Sequence, residues 1–319
     1  MPFSNYPNGF ASGVAIRGLP VLSTYGGNVF FVDSGAGSNS SDGSHNRPFS
    51  SLDYAVGKCT ANNADIIVVK AGHVETVIAA AGLALDVAGI TIVGLGNGPD
   101  RPTVNFTTVV GADMDVDAAG ITIQNFLFTG GIDALTGPVD VNASDFSMLN
   151  CETRDVTGQT TDFIVADANA DRMLIDGWVH RGAAGAESAL QLVGGDNTTV
   201  KNFWIDGNYG TACIENVTTA AVNLTVGGGS NGANYARTRN ADDVIFTAVA
   251  TTTGNVGPNI YARVADNAAN VTEAFVGADM QFFQPIWFVE RNTRILQRAG
   301  RPLLPLPWRR LSRSRGRSY

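Results

Sequence analysis

The chain has 319 residues, of which 44% are hydrophobic and 16% are charged, with 37 glycines and 12 prolines. It is too apolar to be disordered as a whole and long enough to bury a sizeable core. No apolar stretch has the length of a membrane-spanning helix, and the N-terminus lacks the basic start and apolar run of a secretory signal. We therefore expect a protein that is assembled in a cytoplasm, makes no membrane contact and keeps Cys59, Cys151 and Cys213 as buried reduced thiols.

The net charge of −8 hides a strong asymmetry along the chain. Residues 291–319 contain nine arginines and no acidic residue, so residues 1–290 hold the other 12 basic residues against 29 acidic ones, a net charge of −17. We therefore separate an acidic body from a basic tail at 291–319. Three alternatives stay open for the tail: an anchoring arm on an acidic surface, disorder, or contact with nucleic acid. The acidic body argues against the last, because it would repel a duplex.

The segment that precedes the repeats divides into an arm and a capping unit. Residues 1–27 are rich in proline and glycine and cannot form a core alone, so they are either an anchoring arm or disordered. Residues 28–60 contain the strand "NVFFVDS" and then a short amphipathic helix at Arg47–Thr60. Ser50 or Ser51 is the expected N-cap of this helix. Its expected apolar face consists of Leu52, Tyr54, Ala55 and Val56.

Residues 61–230 repeat one pattern of short strands and tight turns. Each period contains a short strand, a turn of Asp, Asn, Gly or Ala, and a strand of alternating apolar residues, with no room for an amphipathic helix. The apolar anchor of the repeat recurs at nearly regular intervals, at Val68, Ile92, Ile123, Met148, Ile175, Val200 and Leu224. Periods of about 20–30 residues made only of strands predict a parallel β-solenoid, whose coils stack at about 4.8 Å.

Aromatic side chains occupy matching places in two of these coils, "QNFLFTGG" and "KNFWIDGN". Phe126 and Phe203 are equivalent, and Phe128 and Trp204 follow them closely. We interpret Phe126 and Phe203 as core residues. The alternative is an outward position, in which they would add to a surface that packs against another copy of the chain.

Acidic residues form four groups along the solenoid, two of them with arginines. The groups are Asp113, Asp115 and Asp117; Glu152, Arg154 and Asp155; Asp171, Arg172 and Asp176; and Asp206. Alternation places the first group on one side of a strand, where like charges suit a cation. However, solenoid turns favour Asp and Asn in any case, and no acid with an arginine recurs at equivalent places in adjacent coils. The histidines His45, His73 and His180 are also dispersed, so we expect no catalytic, cofactor-binding or metal-binding residues.

The pattern changes after "GGGSNGANYARTRNADD". The ladder of anchors is expected to end there, and residues 231–290 have the alternation of longer strands. Aromatic residues are concentrated in this segment, at Phe275, Phe282, Phe283, Trp287 and Phe288. We predict a β-rich element that closes the exit of the solenoid and contributes to oligomerisation, because open strand edges invite uncontrolled pairing.

One stretch carries a resemblance to a known family. "FVDSGAGSNSSDGSHNRPFSSLDYAVGKC" followed by "ADIIVVKAGHVET" resembles the N-terminal module of right-handed parallel β-helices of the pectate-lyase-like superfamily. That superfamily includes polysaccharide lyases, bacteriophage tailspikes and phage capsid proteins. "YPNGFASGVAIRGLPV", this module and "LALDVAGITIVGLGNGPDRPTVNF" together are similar to β-helix virion proteins of tailed bacteriophages. The likeness covers residues 6–230.

The resemblance implies an all-β fold: a single-stranded right-handed parallel β-helix with an N-terminal capping helix and a β-rich C-terminal element. It also implies a virion location, a homotrimer and contact with a major capsid protein. The lack of a catalytic constellation and the arms at both ends favour a non-enzymatic capsid decoration, or cement, protein without cofactors. The alternative is a tailspike or tail fibre that binds, and in some cases cleaves, host surface polysaccharide. A free polysaccharide lyase is a third possibility.

Overall fold

The computed structural model describes residues 26–155, 160–229, 234–239 and 244–263, with short pieces at 14–16, 19–21, 275–276, 279–282 and 286–288. The chain forms an all-β parallel solenoid, consistent with a right-handed parallel β-helix, as the sequence predicts. Helical structure in this part of the chain is limited to an α-helix at Leu52–Val56 and a 3₁₀ turn at Gly98–Asp100.

Three ladders of parallel strands run along the solenoid axis. The first ladder consists of Val29–Val32, Ile66–Val69, Thr91–Gly94, Thr122–Gln124, Ser147–Leu149, Leu174–Asp176, Thr199–Lys201, Leu224–Val226, Gly254–Val256 and Met280–Phe282. The second consists of Val74–Thr76, Thr103–Phe106, Leu127–Gly130, Glu152–Asp155, Val179–Leu192, Trp204–Asn216, Asn234–Thr238, Ile260–Arg263 and Ile286–Phe288. The third consists of Leu83–Leu85, Met114–Val116, Val139–Val141, Asp162–Ala166, the later parts of Val179–Leu192 and Trp204–Asn216, Val244–Thr247 and Phe275–Val276. Val14–Ile16 and Leu19–Val21 form an antiparallel hairpin.

Alternation along the strands produces the core. Strands such as Leu83–Leu85 and Met114–Val116 are buried, half-buried and buried in turn. Their inward Val, Ile, Leu, Met and Phe side chains stack on those of the next coil. Each such side chain stabilises the fold by roughly 1.5–3 kcal/mol when it leaves water. Polar side chains occupy the outward positions, so the functional groups of the solenoid lie on its outer faces.

The register between coils confirms most of the predicted anchors. One column of paired residues contains Ile92, Ile123, Met148, Ile175 and Val200. Two anchors were wrong: Ile67 rather than Val68 pairs with Ile92, and Val226 rather than Leu224 pairs with Val200. In "DIIVV" four successive residues are apolar, so alternation does not show which of them face the core. In "NLTV" two apolar residues lie on the same side of the strand, so either could be taken as the anchor.

Two residues connect the first ladder to the second in four successive coils. The first of the two has a positive φ and is Asn125, Asn150, Gly177 or Asn202. The second is buried and is Phe126, Cys151, Trp178 or Phe203. The left-handed residue turns the chain and the buried residue fills the corner, which confirms Phe126 and Phe203 as core residues. Trp204, by contrast, is half-buried.

The predicted capping helix is present at Leu52–Val56. Its residues Leu52, Ala55 and Val56 are buried, and it packs against the first strands of the first and third ladders. Ser51 occupies the N-cap position, but its side chain makes no capping hydrogen bond. Ser51 is thus the N-cap residue, as predicted, but the acceptor at this end of the helix is another residue: the backbone N–H of Leu52 donates to the carboxylate of Glu75, 2.8 Å away.

The ladders do not end near Gly229, where the sequence suggested their loss. Asn234–Thr238 pairs in parallel with Trp204–Asn216, and Gly254–Val256 pairs with Leu224–Val226. The position of the next repeat is hidden there because the coil from Val226 to Val256 is longer than the coil from Val200 to Val226 that precedes it. The closing and oligomerisation role of residues 231–290 stays a prediction, and the side chains of the predicted aromatic group lie outside the described residues.

Several other expectations concern the ends and the cysteines. Apart from the hairpin, the predicted arm at 1–27 lies almost wholly outside the described residues, and so does the basic tail at 291–319.

The cysteines, all in the described part, form no disulfide; Cys151 and Cys213 are buried as predicted, whereas Cys59 is half-buried. Among the described residues, no helix has the length and apolarity to cross a membrane.

Candidate functional site

The outer face of the second ladder carries a row of charged side chains in register. Arg154 pairs with Arg181, Arg181 with Asp206, and Asp206 with Arg237, each on the adjacent coil. We call these four residues the arginine row. The sequence alone predicts no such recurrence of acid and arginine at equivalent places, and that prediction was wrong. The intervals between the four along the chain are unequal, so their equivalence is invisible without the register.

Glu152 gathers three arginines at one end of this row. Its Oε1 accepts from Arg154 Nη2 at 2.5 Å and from Arg181 Nε at 3.2 Å, and its Oε2 accepts from Arg101 Nη1 at 3.3 Å. Burial opposes ionisation of this carboxyl, but the hydrogen bond and charge of Arg154, with the charges of Arg101 and Arg181, outweigh burial and lower the pKa of Glu152. Glu152 is therefore a stable anion that orients three guanidinium groups.

Asp206 forms a second centre farther along the row. Arg237 binds it through both Nε and Nη2, the first at 2.7 Å from Oδ1. Arg239 also binds both oxygens, from Nε at 3.1 Å and from Nη2 at 3.2 Å. Burial would raise the pKa of Asp206, but the hydrogen bonds from Arg237 and Arg239 lower it overall. Two bidentate pairs on one carboxylate hold both arginines in fixed planes.

Aromatic rings support the row from the same strands. The guanidinium of Arg181 lies over the ring of Trp204, 4.9 Å from its centroid. Trp204 stacks in turn on Tyr235 of the next coil, with centroids 5.6 Å apart and planes 17° apart. Tyr261 follows Tyr235 in register. Because Trp204 lies between Arg181 and Tyr235, its two faces are covered and its role is to fix the arginine.

The outer face of the third ladder carries a different group, which we call the acidic patch: Asp113, Asp115, Asp117, Asp140 and Asn142. The predicted alternation is observed, since Asp115 is the outward residue of Met114–Val116, flanked by Asp113 and Asp117. The next coil adds Asp140, which pairs with Asp115. Asn142 Nδ2 donates to Asp115 Oδ1 at 2.7 Å and to Asp117 Oδ1 at 3.3 Å.

Crowding of like charges sets the protonation of this patch. Burial, followed by the charges of Asp115 and Asp113, raises the pKa of Asp140 to about 6. Burial and neighbouring acids also raise the pKa of Asp113 and of Asp115. Asp140 thus keeps its proton to a higher pH than an ordinary aspartate. Within the described residues, no group of three or more His, Cys, Asp or Glu side chains is placed to hold a metal ion.

The other predicted acids lie apart from both groups. Asp155 is buried beside the backbone N–H of Thr160, 3.0 Å away, and burial raises its pKa to about 6. Asp171 accepts from the backbone of Asp196 at 2.8 Å. Arg172 pairs with Asp145 at 2.7 Å and Asp176 with Lys201 at 3.3 Å. The last three contacts tie neighbouring coils together, as turn chemistry predicts.

The histidines are separated in space as well as in sequence. His73 Nε2 lies 3.2 Å from Glu75, and its Nδ1 accepts from the backbone of Ser34 at 3.0 Å. His180 is buried with its Nδ1 2.7 Å from the hydroxyl of Thr153. Burial lowers the pKa of His180 to about 3, so it is neutral in ordinary buffers. His45 is exposed in the loop before the capping helix.

Sequence reasoning missed several residues of the two outer faces. They are Arg101, Asp140, Asn142, Arg181, Tyr235, Arg237 and Arg239. A local signal does exist for the row: Arg154, Arg181 and Asp206 each come four residues after the left-handed residue of their coil. An alignment of the coils on the two-residue turns "NC", "GW" and "NF", instead of on the apolar anchors, would have placed Arg154, Arg181 and Asp206 at equivalent positions.

Comparison with known proteins gives structural similarity alone. No protein-family model and no curated protein matches the chain. The native structure of a GH136 lacto-N-biosidase from Eubacterium ramulus is similar with a TM-score of 0.45 and 12% identity, over 82% of this chain and 56% of that one. A rhamnogalacturonan lyase is similar with a TM-score of 0.35 and 14% identity, over 76% and 75%. The chain thus spans little more than half of the lacto-N-biosidase, and the likeness concerns the fold.

These findings correct the expected function. Both similar proteins are named as enzymes, in contrast to the expectation of a non-enzymatic protein, which is not retained. That expectation also depended on the supposed lack of acid and arginine pairing between coils, which the arginine row contradicts. The capsid-decoration role has no support in the structure or in the comparisons and is not retained.

Proposed function

We propose that this protein binds a polysaccharide along the outer face of the second ladder. The observation that supports the proposal is the arginine row, in which guanidinium and carboxylate groups repeat from coil to coil at about 4.8 Å. A linear glycan presents its oxygens at regular intervals, and guanidinium groups are planar donors suited to pairs of oxygens. Because Glu152, Asp206 and Trp204 already fix these arginines, little side-chain entropy is lost on binding.

Binding of soluble polysaccharides to the full chain, measured by affinity electrophoresis, tests the proposal. Arg181→Gln and Arg237→Gln should each weaken binding about tenfold, since each removes a charged donor. Arg172→Gln is the matched control, because it removes an exposed arginine that pairs with Asp145 away from this face. Unchanged binding in the first two variants would show that the glycan does not lie on the arginine row.

A second candidate function, hydrolysis of a neutral glycan bound at the third ladder instead of the second, is favoured by the acidic patch. Asp140, with its pKa raised to about 6, lies directly across from Asp115 on the adjacent strand. Glycoside hydrolysis uses two carboxyl groups, one of them protonated, and Asp140 and Asp115 are the facing pair in this patch. Asp140 would protonate the leaving oxygen as the glycosidic C–O bond breaks, while the carboxylate of Asp115 takes a proton from the water molecule that adds to the sugar carbon.

Release of new reducing ends from host-cell polysaccharide measures this second function. Asp140→Asn should abolish release because an amide cannot donate the proton. Asp100→Asn, at an exposed position in the 3₁₀ turn Gly98–Asp100 away from the patch, should leave it unchanged. Cleavage that persists in Asp140→Asn would remove Asp140 from the reaction.

The virion location, the homotrimer and the contact with a major capsid protein stay predictions of the family resemblance. A monomer mass by light scattering at micromolar concentration would contradict the homotrimer.

A further inference from the structure

We infer that the glycan bound by the arginine row is anionic, an inference that rests on the proposed function. The arginines on this face are Arg101, Arg154, Arg181, Arg237 and Arg239, and the carboxylates among them are Glu152 and Asp206. The face therefore carries more positive than negative charge, although residues 1–290 together carry a net charge of −17. A local surplus of this sign attracts a polyanion to this face and away from the acidic patch.

The balance of hydrogen-bonding groups points the same way. Both carboxylates already accept from arginines on each of their oxygens. Each guanidinium has five N–H donors and no acceptor, so donors remain in excess. A ligand group that only accepts, such as a carboxylate or sulfate, matches this surplus better than a hydroxyl, which must also donate.

The excess positive charge of this face is divided between two centres, one at Glu152 and one at Asp206. Glu152 gathers three arginines and Asp206 gathers two, so each centre retains positive charge. One strand, Val179–Leu192, lies between the strands that carry them, which separates the centres by about 10 Å at the usual strand spacing. Two positive centres that are separated along the axis and offset by two residues along the strands suit a polymer that bears anionic groups at intervals.

Nucleic acid is also a polyanion, but this face is poorly suited to it. Binding of single strands depends on bases stacking on open aromatic faces. Trp204 offers no open face, because Arg181 covers one side and Tyr235 the other. The observations therefore favour an acidic glycan.

The test compares matched pairs of polysaccharides on the full chain. Alginate, polygalacturonate and chondroitin sulfate are each tested against their carboxyl-reduced or desulfated forms, with a thirty-nucleotide oligo(dT) beside them. At least one acidic polymer should bind, and its neutral form should bind about tenfold or more weakly. Raising the salt concentration should weaken binding of the acidic form, because screening reduces its attraction to exposed charges.

Matched variants assign the effect to this face. Arg239→Gln should reduce the difference in binding affinity between the acidic and neutral forms of the polysaccharide, whereas Arg172→Gln should leave that difference unchanged. Equal binding of acidic and neutral forms would overturn the inference and leave the proposed function standing. Failure of every polysaccharide would overturn both. Tighter binding of oligo(dT) than of any acidic glycan would replace the glycan by nucleic acid.

Discussion

At the scale of single residues, one position in each coil bends the backbone from the first ladder to the second. A positive φ costs an ordinary side chain roughly 1–2 kcal/mol, and Asn tolerates it because its short amide forms local hydrogen bonds. Asn202 Nδ2 donates to Asp176 Oδ1 at 2.7 Å. Asn125 Nδ2 donates to the carbonyl oxygens of Gly94 and Gly96, at 2.8 and 3.0 Å. Each bond joins one coil to the coil before it.

Asn202→Ala should therefore destabilise the fold. The variant keeps the positive φ but loses the bond to Asp176, so we expect the free energy of unfolding to fall by about 1–2 kcal/mol. Urea denaturation measures the loss. Asn46→Ala, in an exposed loop, is the control and should change stability by less than about 0.5 kcal/mol. Equal stability of both variants would contradict a structural role for this turn.

The acidic patch makes a second residue-scale prediction, on pH. The pKa of Asp140 is raised in the folded protein to about 6, so the folded state holds this proton more tightly than the unfolded state. This tighter proton binding by Asp140 stabilises the folded state fully below pH 3.8, and the contribution is lost as the pH rises through about 6. Asp140→Asn should thus stabilise the protein at pH 7.5 by about 1–2 kcal/mol and have little effect at pH 3.5. Urea midpoints of both proteins across this range measure the difference, and a constant difference would contradict the raised pKa.

At the scale of elements, the capping helix depends on a residue 23 positions away from its first turn. The N–H of Leu52 needs an acceptor, as the first N–H groups of any helix do. Glu75, at the start of the second ladder, supplies it and also contacts His73. Ser51, the residue that local rules favour, instead accepts from Asn39 at 3.1 Å.

Glu75→Ala should loosen this helix. Because the acceptor for the Leu52 N–H is lost, hydrogen exchange at that amide should become at least about fivefold faster, consistent with the loss of a capping interaction. Ser51→Ala is the matched variant and should leave exchange at Leu52 nearly unchanged, since its side chain makes no capping bond. The opposite ranking would restore Ser51 as the functional cap.

At the scale of the whole molecule, the ladders run without a break through the segment after Gly229. Ile260 is fully buried in the second ladder, as is Ile205 two coils earlier. Neighbouring coils of a solenoid stabilise one another through their shared interfaces. Residues on both sides of Gly229 therefore belong to one stacked core.

Ile260→Ala and Ile205→Ala should consequently lower the same unfolding transition. Each removes buried methyl and methylene groups, and we expect a loss of about 2–4 kcal/mol in both cases. Calorimetry combined with circular dichroism detects whether one transition or two is present. An independent second transition, shifted only by Ile260→Ala, would show that the segment after Gly229 unfolds as a separate unit.

The sequence by itself determined the architecture. Apolar anchors, Asn or Gly turns and the absence of helical periodicity are local properties, and each coil of a solenoid repeats the same local physics. The core position of Phe126 followed from the match between two coils, and the shared face of Asp113, Asp115 and Asp117 followed from alternation along one strand. These features needed no knowledge of how one coil is placed on the next.

The tertiary structure alone decided which distant residues meet. Arg154, Arg181, Asp206 and Arg237 share one row only because coils of unequal length place their extra residues in the turns and keep the strands in register. The same register brings Asp140 opposite Asp115. Charge and hydrogen bonding act over a few ångströms, so the function of this chain depends on contacts between coils that its linear order conceals.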